Sequence, residues 1–110
     1  IYIPSGSAKQ ERQDYKMAFM TERFMPYLQE LQKDGREYIV CGDINIVHKA
    51  IDIKNFNGNK NRSGCLPEER AWMEELFTQT GFIDAFREIN QEADQYTWWS
   101  NRGQAWANNT

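Results

Sequence analysis

The sequence predicts an α/β fold, because strand-like and helix-like patterns alternate along its 110 residues. Three observations carry that reading. The chain opens on the alternating Ile1-Tyr2-Ile3, a long 3.6-residue periodicity runs from about Lys9 to Lys33, and a continuous apolar run, Tyr38-Ile39-Val40-Cys41, leads into Gly42-Asp43-Ile44-Asn45.

Residues 1 to 3 read as a short strand closed by the turn signal Pro4-Ser5-Gly6-Ser7. The helical pattern that follows places Tyr15, Phe19, Met20, Phe24, Tyr27, Leu28 and Leu31 on one stripe. Pro26 removes a backbone donor inside it, so a kink or break is expected there, and Asp34-Gly35 ends it. Glu37 to Gly42 reads as a buried strand, since its apolar run is continuous rather than alternating. Residues 43 to 65 form a long polar segment rich in Asn and Asp, and a loop of that length is a candidate functional element. A second helix is expected from Pro67, with Glu68 and Glu69 in its first turn, Trp72, Met73, Leu76 and Phe77 facing the core, and Gly81 as its cap. Phe82 to Phe86 reads as a short turn or strand, and Tyr96-Thr97-Trp98-Trp99 as another strand. Three short strands make a thin sheet. Together with a start that lacks Met, this reads as a piece of a longer polypeptide, with residues 1–110 as a single partial domain.

Composition narrows the function. The chain is 40% hydrophobic and 14% aromatic, enough for a real core, and no run approaches the roughly 18 apolar residues of a membrane span. No signal-like start is present, so a cytoplasmic location and no membrane partner are expected. Cys41 and Cys65 lack metal-type spacing and read as reduced thiols. A net charge of -3 argues against holding nucleic acid by bulk charge, so phosphate binding must be local. Between Asp52 and Glu68 no acidic residue occurs, while Lys54, Lys60 and Arg62 sit among four Asn. That loop reads as a phosphate-facing surface.

Asp43 and Asn45 stand two residues apart at a strand exit, where the carboxyl ends of α/β sheets form ligand crevices. Such a pair can bind a divalent cation and orient a water toward phosphorus, which points to phosphodiester hydrolysis. An Asx-turn is the plain alternative. The Tyr2 phenol can donate to a phosphate oxygen that gains charge in the transition state. His48, the sole histidine, reads as a hydrogen-bonding loop residue. Trp98, Trp99 and Trp106 form either core packing or a wall for a displaced nucleotide; strand alternation allows only one of Trp98 and Trp99 to line a site, and Trp98 is the candidate.

Taken in order, these residues resemble the exonuclease III family of abasic-site endonucleases, within the endonuclease/exonuclease/phosphatase superfamily. The resemblance rests on Tyr2-Ile3-Pro4-Ser5-Gly6, Gly42-Asp43-Ile44-Asn45-Ile46, Ile51-Asp52-Ile53, Gly58-Asn59-Lys60, Leu66-Pro67-Glu68-Glu69-Arg70, and Asp84-Ala85-Phe86-Arg87 with Tyr96-Thr97-Trp98-Trp99. It implies part of a four-layered α/β sandwich, two β-sheets flanked by helices. It also implies metal-dependent (Mg, with Mn as the alternative) hydrolysis of DNA 5′ to abasic sites and at 3′ ends, by a protein that is monomeric at full length and acts on double-stranded DNA. In that family the residue matched by Tyr2 contacts the scissile phosphate, that matched by Asp43 moves a proton beside the metal, and that matched by Asn45 orients water. Asn59, Lys60 and Arg62 become DNA-backbone contacts and Trp98 a pocket wall. Ala85 stands where Ser or Thr is usual, and Glu88 where a basic residue is usual. The family's metal-binding Glu, a further active-site Asn and an Asp-His pair have no match here, so this stretch alone is expected to be inactive. Two competing readings are a non-catalytic binding or assembly fragment that pairs through exposed sheet edges, and a superfamily phosphatase acting on phospholipid or inositol phosphate.

Overall fold

The structure, a computed structural model, describes residues 1–7 and 9–110. Its frame is a helical arm laid across a second helix. The arm comprises α1 (Gln10–Ala18), a π-helical stretch (Phe19–Phe24) and α2 (Met25–Gln32). The π-helical stretch answers the expected disturbance at Pro26. Proline has no N–H and its ring crowds the carbonyl four residues back, so the turn before it widens instead of breaking. The Met25 N–H reaches back five residues to the Met20 carbonyl. That same carbonyl accepts the indole N–H of Trp72 at 3.1 Å, which leaves the buried ring with no unpaired donor.

Trp72 belongs to α4 (Pro67–Thr80), the second helix, which begins at its proline and ends on Gly81 in the left-handed conformation. The core lies between arm and α4: Met20, Phe24, Met25 and Leu28 face Trp72, Met73 and Leu76, with Ile3 sealed among them. The rings of Phe24 and Trp72 stack at 5.8 Å. Two residues of the expected stripe are not in it. Tyr15 and Tyr27 are 67% and 59% exposed. The buried line instead runs through Gln13, Lys16, Met20, Phe24 and Leu28, so two polar side chains extend the apolar face toward the start of α1.

The extended segments differ from expectation. Among the described residues the β pairing consists of one isolated parallel bridge, Tyr2 with Asp43, made by Ile3 N–H to the Asp43 carbonyl (2.9 Å) and Asp43 N–H to the Ile1 carbonyl (3.1 Å). Glu37 to Gly42 is extended but not the buried strand expected: Ile39 is 95% exposed and Cys41 is exposed. Tyr96 to Trp99 likewise makes no ladder. A run of apolar residues becomes a buried strand only where neighbours pair its edges and layers cover its faces. Among the described residues the backbone pairing of residues 37–42 is with the Ile1–Ile3 segment, through the Ile1 amine and the Cys41 carbonyl, and Ile39 and Cys41 stay in solvent. Phe82 to Phe86 resolves into an extended stretch and the start of α5 (Ala85–Ile89), capped by the Asp84 side chain. Short turns complete the chain: a 3₁₀ turn (Ala50–Asp52), α3 (Phe56–Asn59) and α6 (Ala105–Asn108). Among the described residues no helix is long and apolar enough to cross a membrane.

Leu28 and Tyr27 are neighbours on α2 with opposite burial, 2% against 59% exposed. Leu28→Ala is expected to cost about 2–5 kcal/mol, the range for deleting a buried Leu side chain, and Tyr27→Ala less than about 1 kcal/mol. Urea midpoints of the two variants check this.

Candidate active site

The parallel bridge places Tyr2 beside Asp43. Residues paired in this way project side chains from the same face, so the Tyr2 and Asp43 side chains leave the backbone side by side. Gly42 makes the approach possible. Its φ is +137°, and a Cβ there would stand 1.9 Å from the Ile1 carbonyl oxygen.

Beyond the bridge the chain turns sharply. Asp43 Oδ1 accepts the Asn45 N–H at 3.1 Å, an Asx-turn, and Asn45 itself takes the left-handed conformation with φ +50°. The Asn45 side chain donates through Nδ2 to the Ile3 carbonyl at 2.9 Å. The plain reading of Asp-x-Asn is therefore realised, but it does not use up either side chain. Asp43 Oδ2 and Asn45 Oδ1 accept no hydrogen bond among the described residues. The turn fixes the two groups and leaves one oxygen of each available.

Both residues line a cleft of about 1020 Å³ whose walls also include Asn59, Arg62 and Trp98. Five of the seven residues singled out from the sequence thus share one solvent-open hollow. Tyr2 stands next to it through its pairing with Asp43 but does not line it, and its ring is 62% exposed. Lys60 is exposed and outside the lining. Asn59 is tied down by its own loop, donating from Nδ2 to the Asn55 and Lys54 carbonyls, so its oxygen is the end left free. Trp98 is 69% exposed at the rim, whereas Trp99 packs edge-on against Trp106 at 4.5 Å and bonds Asn109 through its indole N–H. The two rings part company although this segment is not the strand expected. One meets the cleft and the other holds the last turn.

His48 is engaged elsewhere: Nε2 lies 2.6 Å from Glu74 Oε2, and its ring leans on Phe77. Asp52 lines the cleft, but Arg87 Nε holds it at 2.7 Å, and the rest of that guanidinium binds the Ile51, Asn90, Glu92 and Gln95 carbonyls. Arg87 is a clamp fastening the segment before Trp98 to the segment before Lys54. Sequence reasoning named Asp52 and Arg87 within matched motifs without pairing them. It missed Lys16 and Glu69 as partners entirely. The available signal was Lys16's position on the helical stripe, where an ammonium is out of place unless something answers it.

A divalent cation would find hard oxygen donors in Asp43 and Asn45. Among the described residues no cluster of three His, Cys, Asp or Glu side chains forms around them. The pair is right in kind for Mg²⁺, which keeps several waters and takes phosphate oxygens to complete its shell. It suits a shared site and is too small for a closed one.

No family model matches the chain. Relatives do. The chain is 37% identical over 109 residues to an exodeoxyribonuclease of Bacillus subtilis, covering 96% of this chain and 41% of that protein. It is 40% identical over 101 residues to the DNA repair nuclease APEX1 of Danio rerio (90% and 31%), and 36% identical over 104 residues to a DNA-(apurinic or apyrimidinic site) endonuclease of Dictyostelium discoideum (93% and 28%). The chain therefore spans less than half the length of each.

Two outcomes follow from the local geometry. Gly42→Ala is expected to break the bridge, seen as faster hydrogen exchange at the Ile3 and Asp43 amides with α4 amides unchanged. Cys65 is 2% exposed and burial pushes its thiol up, so its thiolate fraction at pH 8 lies below that of an ordinary cysteine. Iodoacetamide at pH 8 is expected to label the exposed Cys41 first, as peptide mass mapping would show. Across the stretch it shares with these nucleases, the chain is similar, at 36–40% identity, to exodeoxyribonucleases and abasic-site endonucleases.

Proposed function

We propose that residues 1–110 carry part of the active site of a cytoplasmic, monomeric DNA-repair phosphodiesterase that uses Mg²⁺, or Mn²⁺ in its place. In this reading it cuts double-stranded DNA 5′ to abasic sites and trims 3′ ends. The helices described here would flank one side of a four-layered α/β sandwich. The single observation that carries the reading is the joint lining of one cleft by Asp43, Asn45, Asn59, Arg62 and Trp98. The names of the relatives support DNA as the substrate.

The chemistry assigned to this chain is as follows. A bound divalent ion would supply positive charge at the phosphate and a more acidic water. The free Asp43 oxygen takes or returns the proton that moves during attack. Asn45, its amide nitrogen fixed by Ile3, presents its oxygen to the attacking water. Tyr2 donates to a phosphate oxygen from the neighbouring extended segment. Arg62 and Asn59 hold the backbone of the DNA, with Lys60 as an outer cation. Trp98 gives a flat apolar wall against which a flipped-out sugar could rest.

The test is a chimera in which residues 1–110 replace the matching stretch of the Bacillus subtilis exodeoxyribonuclease, assayed for nicking of an abasic duplex with Mg²⁺ or EDTA. Metal-dependent nicking is expected, and Asp43→Ala is expected to lower kcat at least about 100-fold, since proton transfer by a positioned group contributes about 10²–10⁴-fold. An Asp43→Ala chimera as fast as its parent would refute the assignment. Arg62→Ala should weaken duplex binding evenly across sequences and flatten the salt dependence by about one unit of log–log slope.

A further inference from the structure

We propose that the buried Lys16–Glu69 ion pair is a positioning device for Asn45, fixing the turn that presents its side chain to the cleft. The inference rests on the nuclease reading for its catalytic consequence, but its structural half stands alone.

Both side chains are fully buried. Lys16, from α1, donates to Glu69 Oε2 and also to the Asn45 main-chain carbonyl at 2.8 Å. Glu69, from the first turn of α4, turns its other oxygen to two backbone donors, Gly64 N–H at 2.7 Å and Leu66 N–H at 3.2 Å. The Gly64 carbonyl in turn accepts the Val47 N–H at 2.7 Å. Segments 43–47 and 63–66 are thereby joined to each other and to both main helices through one pair of charges.

An apolar pair of similar volume would fill the same space, and such replacements are often neutral or stabilising. What an apolar pair cannot do is accept and donate in set directions. The ammonium anchors a carbonyl belonging to a residue in the left-handed conformation, φ +50°, which Asn tolerates but does not prefer over extended backbone. From that backbone setting the Asn45 side chain donates to the Ile3 carbonyl at 2.9 Å. Lys16 and Glu69 touch neither cleft nor substrate, so they are positioning residues, acting through Asn45.

The decisive experiment uses Lys16→Met, Lys16→Arg and Glu69→Gln, each in the 110-residue chain and in the chimera described above. In the chain, hydrogen exchange at the Val47 amide and the chemical shift of the Asn45 side-chain amide report the turn, while α1 and α4 amides report the frame. Lys16→Met should free the turn and leave the helices protected, Glu69→Gln should do so more weakly, and Lys16→Arg should restore it. In the chimera, Lys16→Met should lower kcat about 100-fold, the size expected of a misplacement of about 1 Å, with KM changed less than about threefold. An unaltered turn in Lys16→Met overturns the proposal whether or not the chimera cuts DNA. So does simultaneous loss of turn and helices in both Lys16→Met and Glu69→Gln, which would make the pair a stability element only. A freed turn with unchanged kcat overturns the catalytic half. An inactive parent chimera counts against the nuclease reading instead, and the turn measurement then decides the positioning claim by itself.

Discussion

Two opposite charges held away from water impose the strictest geometric demand in this molecule. An ammonium or carboxylate moved into the interior loses solvation worth several kcal/mol, so each must find its partner and its remaining hydrogen bonds in place. Lys16 and Glu69 meet that demand by recruiting three backbone groups from two loops. Removing either partner would strand the other, a loss of about 3–5 kcal/mol in comparable buried pairs. The pair therefore ties loop placement to the packed helices: with α1 and α4 held together by their apolar faces, it draws the 43–47 and 63–66 segments in. Apolar contacts among Met20, Leu28, Trp72 and Met73 supply the cohesion. The ion pair supplies the register.

A second constraint works from the other side. The Ile1–Ile3 segment is tied to Asp43 by two backbone hydrogen bonds, and to Asn45 by a third through its side chain. Ile3, fully buried, pins that segment to the helical core. The Asp43–Asn45 turn is thus held between a strand-like segment and a buried charge. A turn held on both sides can keep two polar side chains at the rim of a hollow without spending them, which is the state a metal- and water-binding pair requires.

The helical frame was legible in the sequence because its signals are local. A proline at the first helical position, acidic residues in the first turn, an apolar stripe and a closing glycine together mark Pro67–Thr80. Most of the long arm was legible for the same reason, and Pro26 marked its irregularity. Tyr15 and Tyr27 misled because a tyrosine satisfies an apolar stripe on paper and is equally content at the surface. The 37–42 and 96–99 segments were harder still, since a strand is defined by neighbours that can lie anywhere in a sequence. Within the candidate site, the residues bearing recognisable chemistry came forward, and most of them meet in one cleft. The supporting shell did not. Lys16 and Glu69 are 53 residues apart, so the place of Lys16 on the stripe signals burial without saying which residue answers its charge.

Charge placement explains how a chain with a formal net charge of -3 could still receive a polyanion. At physiological ionic strength the screening length is about 8 Å, far less than the 43 × 36 × 23 Å extents of the molecule. A phosphate entering the cleft senses the charges lining it and little of those on the far surface. Asp52 is answered by Arg87 and contributes little field there. Among the described residues Arg62 and Lys54 line the hollow as cations, against the one side-chain carboxylate there without a cationic partner, that of Asp43. The balance within the hollow is therefore positive except at the point where a divalent ion would sit beside Asp43. Such an ion would reverse the one repulsive contact, so binding of metal and binding of phosphate are expected to favour each other through simple electrostatics.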